Sequence, residues 1–413
     1  MSFTPRAASL LVLVAIAGLV LPGPLALGLG IVVIATALAD AWLVRSLPTV
    51  ERLLPSILSR GVPAEISLRT SGGARLEVRQ PAPPDVRIEP AEGVGSWRGQ
   101  IVALRRGRHR LEPVATRANG ALGLGRWLHR VGVGAEFVVY PDLPAARRLA
   151  IAVRHGHFSE EGRRRRGPLG LGTDLERIRD YQPDDDIRQV NWRASARRGS
   201  PMSNQWRVDQ DREVICLVDS GRLMSAPIGD RTRLDAAIDA VAAIAAVADE
   251  LGDRVGVVAF DRTIRRRLSP RRAGADAVLA AIFDLEPTPD DSDYALAFQT
   301  VASSKRALIV VFTDLLDSAA ARPLIEATPI LARRHAVVVA TVEDDDLLGE
   351  IATPAADLPS AYRTVAALLV LEERLLVTRQ LRGAGVEVVE APLAALSARS
   401  VGAYLRARNR ARL

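Results

Sequence analysis

Two uncharged, apolar runs open the chain. Residues 7–39 carry no charge, and Ala7–Leu21 and Leu25–Val44 are parted by Pro22-Gly23-Pro24. Pro-Gly-Pro breaks a helix, so the pattern predicts two spans joined by a tight turn. About 20 residues are needed to cross the hydrocarbon layer; the second run meets that length and the first is short. Arg6 precedes the pair and Arg45, Arg52 and Arg60 follow it, which puts both ends in the cytoplasm by the positive-inside rule. Two rivals remain. Ala37-Leu38-Ala39 before Asp40 resembles a signal-peptide cleavage site, although the apolar region is long for one. A single kinked span would place the body outside.

From residue 62 to 141 the period changes to two. Alternation marks short strands at Glu65–Arg69, Arg75–Arg79, Ile101–Leu104 and Arg110–Ala115, and Phe137–Tyr140 forms a last apolar strand. Gly and Pro clusters separate them, which predicts a small β-sandwich of immunoglobulin type. From Val214 onward, near-continuous apolar strands alternate with helices. The strands are expected at Val214–Asp219, Arg254–Phe260, Arg306–Asp314, His335–Val342 and Val386–Glu390, and Thr263–Leu268 as an antiparallel edge. Helices are expected over Arg233–Leu251, Ala275–Leu285, Tyr294–Ser304, Ala320–Arg334, Ala361–Gly383 and Leu393–Arg410. Leu234, Ile238, Val241, Ala245 and Leu251 fall near one face of the first, which reads as amphipathic. Such alternation predicts a mainly parallel sheet covered on both faces.

Between these regions lies a polar block with neither period, GTDLERIRDYQPDDDIRQVNWRASARRG over 172–199. Carboxylates and guanidiniums alternate in it, so bidentate Arg–carboxylate pairs would fix a loop, with Trp192 capping the network. The block resembles the signature of the bacterial domain of unknown function 58 family: Arg179-Asp180-Tyr181, Pro183-Asp184-Asp185, Arg188, Val190-Asn191-Trp192 and Ala194-Ser195-Ala196-Arg197. The family's Gly before the Asp is Asp184 here, which would have to tolerate any left-handed conformation at that position. The loose match at Asn119–Gly123 keeps only turn chemistry.

The resemblance implies a fold and a partner. The fold is α/β: an N-terminal transmembrane helical hairpin (1–46), a small β-sandwich (60–142), a signature linker (143–212) and a von Willebrand type A-like Rossmannoid domain with a mainly parallel sheet (213–413). Proteins of this kind are typically encoded beside MoxR-type AAA ATPases and other membrane proteins. The implied role is a non-enzymatic adaptor in the bacterial inner membrane, with a two-span anchor in the lipid bilayer and a cytoplasmic body. It would work with such an ATPase in the assembly or maturation of envelope or other protein complexes. Arg179, Tyr181, Asp185, Arg188, Trp192, Ser195 and Arg197 then either dock the partner or brace the soluble domains.

Von Willebrand type A domains hold Mg²⁺ on an Asp-x-Ser-x-Ser loop, a Thr and a second Asp. Here the loop reads Asp219-Ser220-Gly221-Arg222-Leu223, Ser292 stands in for the Thr, and Asp314 is the second aspartate. Two hydroxyl ligands are missing, so Asp219, Ser292 and Asp314 form a degenerate site, and no cofactor is expected beyond weak Mg²⁺. A metal-dependent, extracytoplasmic adhesion-type receptor is the alternative function.

Composition removes other classes. The net charge is +7, but the 55 basic residues include a single lysine, Lys305, and acidic residues are interspersed. That skew reads as coding bias, and stacking aromatics are scarce, so no nucleic-acid partner is expected. The lone Cys216 in an apolar strand excludes a disulfide framework. His155 and His157 form an H-x-H pair on a presumed strand, with no evident third ligand. Phosphate loops, nucleophile elbows and zinc-protease motifs are missing, and Gly167–Gly172 lacks the strand-then-helix setting of a dinucleotide site, so the chain is not expected to be an enzyme. Arg163–Arg166 reads as a solvated run that would also suit anionic lipid.

Overall fold

A computed structural model describes residues 1–71, 76–160, 163–164, 174–182, 190–207, 212–302, 305–315 and 318–410. The chain divides into two compact units, Met1–Tyr140 and Pro141–Leu413, and combines α and β structure in several sheets.

In the first unit, α1 (Pro5–Ala17) and α2 (Gly23–Leu43) pack against each other. Thr4 caps α1 by accepting the Ala7 N–H, and Pro5 occupies the first turn, where a missing N–H costs nothing. Among the described residues only α2 is long and apolar enough to cross a membrane; α1 is too short by itself. The remaining strands form sheets of five, four and three strands around one core, with Ile66, Leu68, Val78, Ile101, Leu111, Phe137 and Val139 at its centre. The strand expected at Arg110–Ala115 is two strands, Gly107–Leu111 and β1 (Val114–Asn119), because Pro113 has no N–H to give a ladder. β1 turns into β2 (Gly125–Val131), its antiparallel neighbour.

The turn between β1 and β2 holds the helices. Asp40, near the end of α2, is buried and accepts the N–H groups of Leu122 (3.0 Å), Leu124 (2.9 Å) and Gly125 (3.0 Å). Thr4, before α1, donates its hydroxyl to the Gly123 carbonyl (2.6 Å) and its N–H to the Leu124 carbonyl (3.0 Å). Ser2 and Phe3 add a short strand against Arg126 and Gly125. Gly125 has no room for a Cβ, which would strike the Ala37 carbonyl and the backbone of Ala41.

In the second unit, β3 (Asp174–Asp180) pairs antiparallel with β4 (Met202–Arg207), and α3 (Trp192–Arg198) lies between them in sequence. A six-stranded sheet follows. Its strands are β5 (Glu213–Asp219), β6 (Arg254–Phe260), β7 (Ile264–Arg271), β8 (Leu308–Phe312), β9 (Ala336–Val342) and β10 (Glu387–Ala391). They lie in the order β7-β6-β5-β8-β9-β10; all neighbours are parallel except the β7 edge. The central strands are almost continuously apolar between their ends because helices cover both faces.

The helices are α4 (Arg233–Glu250), α5 (Tyr294–Ala302), α6 (Ser318–Ala332), α7 (Asp345–Ala352), α8 (Leu358–Gly383) and α9 (Leu396–Arg410), with shorter Ala275–Ile282 beside them. Thr232 and Asp235 close a capping box at the start of α4. α4 is more than amphipathic: it is buried almost all round, because Leu143–Arg154 and α9 also pack on it. The Leu143–Arg154 helix places His155 at its C-terminal end, so His155 and His157 do not lie on a strand.

Candidate functional site

Asp219 ends β5, the central strand, and is buried. Its Oδ1 accepts the N–H of Gly221 (2.8 Å) and the hydroxyl of Ser292. Its Oδ2 lies 3.0 Å from the Tyr294 hydroxyl and 2.7 Å from that of Thr313, and these two are 2.7 Å apart. Four donor groups thus converge on one carboxylate. Burial, then the Asp219 charge, push the Tyr294 hydroxyl well above its usual range, so it stays a protonated donor.

Ser220 ties this loop to the next strand: its N–H (2.7 Å) and hydroxyl (2.9 Å) both reach the Phe260 carbonyl. Asp261, just past β6, accepts from Thr263 N–H (2.8 Å), Arg265 (2.7 Å) and the Thr288 hydroxyl (3.1 Å). Burial alone would raise its carboxyl, but the bonds from Arg265, Thr263 and Thr288 hold it below the usual range. Gly221 has no room for a side chain, since a Cβ there would meet the Ser292 hydroxyl. Arg222 pairs with Asp291 at the surface.

Asp314, past β8, has a different setting. Arg233 from α4 donates to its Oδ1 at 3.0 Å and Arg374 from α8 at 3.2 Å, and all three side chains are at most 5% exposed. Arg233 also reaches Asp344 (2.6 Å), and Arg374 the Val342 carbonyl (2.8 Å). Burial raises the Asp314 carboxyl; the two guanidiniums pull against that without fully offsetting it. Two internal cations therefore stand where a metal-dependent reading would put external charge. Asp219 and Ser292, expected together, do meet, and Thr313 links them towards Asp314. Arg233, Arg374, Asp344 and Tyr294 were not foreseen. The available signals were weak: an arginine opening a helix, and one arginine on the buried face of a long helix. Among the described residues no group of three His, Cys, Asp or Glu is placed to hold a metal ion. Cys216 is fully buried, and burial pushes its thiol up to about 12, which makes it inert.

The signature block is organised by backbone and amides in its described part. Asn191 caps α3 by accepting the Ala194 N–H (2.9 Å), donates its side-chain amide to Asn204 (2.8 Å), and donates its N–H to the Met202 carbonyl (2.8 Å). Ser195 donates to the Asn191 carbonyl (2.9 Å) and accepts the Met202 N–H (2.8 Å). Gly199 closes the helix at φ +72°, a left-handed position that suits glycine. Arg179 donates to the Asp180 carbonyl (3.1 Å), and the Tyr181 N–H donates to Pro201 (2.9 Å). Asp184, Asp185 and Arg188 lie outside the described residues. Trp192 starts α3 with 73% of its surface exposed. Arg197 is exposed on the last turn of the same helix.

Residues 177–352 match the model of the family described as Protein of unknown function DUF58. Uncharacterized proteins of Mycobacterium bovis and Mycobacterium tuberculosis are 27% identical over 184 residues, covering 42% of this chain and 56% of theirs. The match thus spans about half the length of those relatives. A crystal structure of a mutant SrpA adhesin from Streptococcus sanguinis overlaps 38% of this chain and 78% of its own at 10% identity and a TM-score of 0.17, which carries no argument about fold or function. The signature residues from Arg179 to Arg197 sit at the start of the matched segment, over which the chain is similar to the DUF58 family.

Proposed function

We propose that the chain is a membrane-anchored, non-enzymatic docking protein, whose signature helix α3 presents Trp192 and Arg197 to a MoxR-type AAA ATPase. The observation that carries this reading is the exposure of Trp192. A tryptophan 73% open to solvent on a helix fixed by Asn191 and Ser195 is a preformed contact residue. The partner's identity is the expectation that the family resemblance supplies.

The anchor in this reading is a two-span hairpin made by α1 and α2, with the soluble body in the cytoplasm. Two features support it. α2 has the length and apolarity of a span, and Thr4, just before α1, and Asp40, near the end of α2, both bind the turn 120–125. A single sheet turn that grips both flanks needs both on one side of the bilayer. The α/β unit is read as von Willebrand type A-like, with the metal loop kept as scaffold. The guanidiniums on Asp314 weigh against the adhesion-type receptor, which needs a working metal site.

The test is capture of the ATPase from native membranes by crosslinking, using full-length wild type, Trp192→Ala and Arg197→Ala. Loss of capture with an unchanged melting temperature is expected. Retained capture by both variants would overturn the docking role. A cysteine introduced at a position exposed on the β-rich unit should react in intact cells only after permeabilisation; Cys216, being buried, adds little background.

A further inference from the structure

The 26-residue helix α8 buries one face and leaves the other apolar and open. Ala367, Arg374, Val377, Thr378 and Leu381 are buried. On the opposite face Leu358, Tyr362, Val365, Leu369, Glu372 and Leu376 are exposed, at intervals of four, three, four, three and four residues. Leu358 and Tyr362 are each 69% exposed and Leu369 58%. Leu368 and Leu375 flank the stripe and are also exposed. This is the 3.5-residue repeat of a coiled-coil seam, carried by a helix with no described partner on that side. The open surface of the seven apolar side chains amounts to roughly 800 Å², which is what each partner contributes to a standard-size interface.

We infer that this face pairs with the same face of a second copy of the chain, antiparallel, about a two-fold axis near residue 367. Only that register pairs all six positions of the stripe. Leu358 of one copy meets Leu376 of the other, Val365 meets Leu369, and Tyr362 meets Glu372. Every layer is then apolar against apolar, except that the single carboxylate faces the single hydroxyl. Tyr362 donates to Glu372, twice per dimer by symmetry. A bilayer surface is the poorer occupant, because Glu372 lies within the stripe and would be driven into lipid. The inference does not depend on the docking role of Trp192, which lies on another helix.

The experiment is sedimentation of the full chain in detergent, with its helical content and melting temperature followed in parallel. Wild type should dimerise. Val365→Glu with Leu369→Glu should be monomeric yet equally folded, since both side chains are exposed. Tyr362→Phe should weaken dimerisation at least tenfold, as expected for losing hydrogen bonds to a charged group. Under oxidation Leu368→Cys, close to the axis, should form a disulfide-linked dimer. Leu358→Cys should not, whereas Leu358→Cys with Leu376→Cys should. A monomeric wild type, a dimer that survives the two glutamates, or a crosslink pattern in which Leu358→Cys alone joins two copies would overturn the inference.

Discussion

The hydroxyl of Ser292 occupies the space that a side chain on Gly221 would need, so a side chain at 221 would displace it and press on the Asp290 carbonyl. The glycine at 221 is thus more than a lost serine. It lets Ser292 reach Asp219 and close the loop upon itself.

One prediction follows for metal binding. Gly221→Ser, which rebuilds part of the metal loop on paper, should lower stability by about 1–3 kcal/mol through overpacking. Neither wild type nor this variant should show an Asp219-dependent rise in melting temperature with millimolar Mg²⁺. Thermal unfolding with and without the ion checks both outcomes.

Asp314 with Arg233 and Arg374 is a structural unit. Among the described residues Asp314 is the carboxylate that both guanidiniums share; its loss leaves Arg233 with Asp344 and Arg374 with Glu390 at 3.7 Å, so Asp314→Asn should cost about 3 kcal/mol in a denaturant titration. Replacing Arg374 with Met should cost less, because Arg233 remains on Asp314.

The grip on the apolar helices depends on Asp40. Asp40→Ala leaves three backbone N–H groups without their acceptor and should cost about 3 kcal/mol or more. Limited proteolysis should then cut within 120–125. Gly125→Ala should give the same phenotype by a different route, since its Cβ strikes α2.

A pH effect is expected at His335. It is buried, accepts the Ala307 N–H at Nδ1 (3.3 Å), and burial, with the nearby Arg334 charge, lowers its imidazole below the ordinary 6.5. The unfolded chain therefore binds the proton more readily. Its contribution to stability is complete above pH 6.5 and is lost as the pH falls from there through the lower folded value. Unfolding curves of wild type and His335→Gln should converge in that acidic window; equal pH slopes would contradict the assignment.

Much of the architecture was legible from local pattern. Strand β6 keeps the bounds expected from the sequence, Arg254–Phe260, and α4 starts at the residue after Thr232, its cap. What escaped were elements whose signal is polar or borrowed. Leu143–Arg154 gave no clear period in a segment read as linker. α7 is eight residues in an acid-rich stretch. In the signature block, spacing picked out Trp192 but could not tell a cap from a contact, because exposure depends on what the rest of the fold leaves open.

The order of residues by itself determined the apolar start, the strand–helix alternation and the two aspartates at strand ends, since each follows from period and local chemistry. Only the tertiary structure decided what those aspartates face. Arg233 and Arg374 come from helices 141 positions apart, and Ser292 lies 73 from Asp219. Pairings over such distances are set by packing of the whole sheet and its helices, which no local pattern encodes.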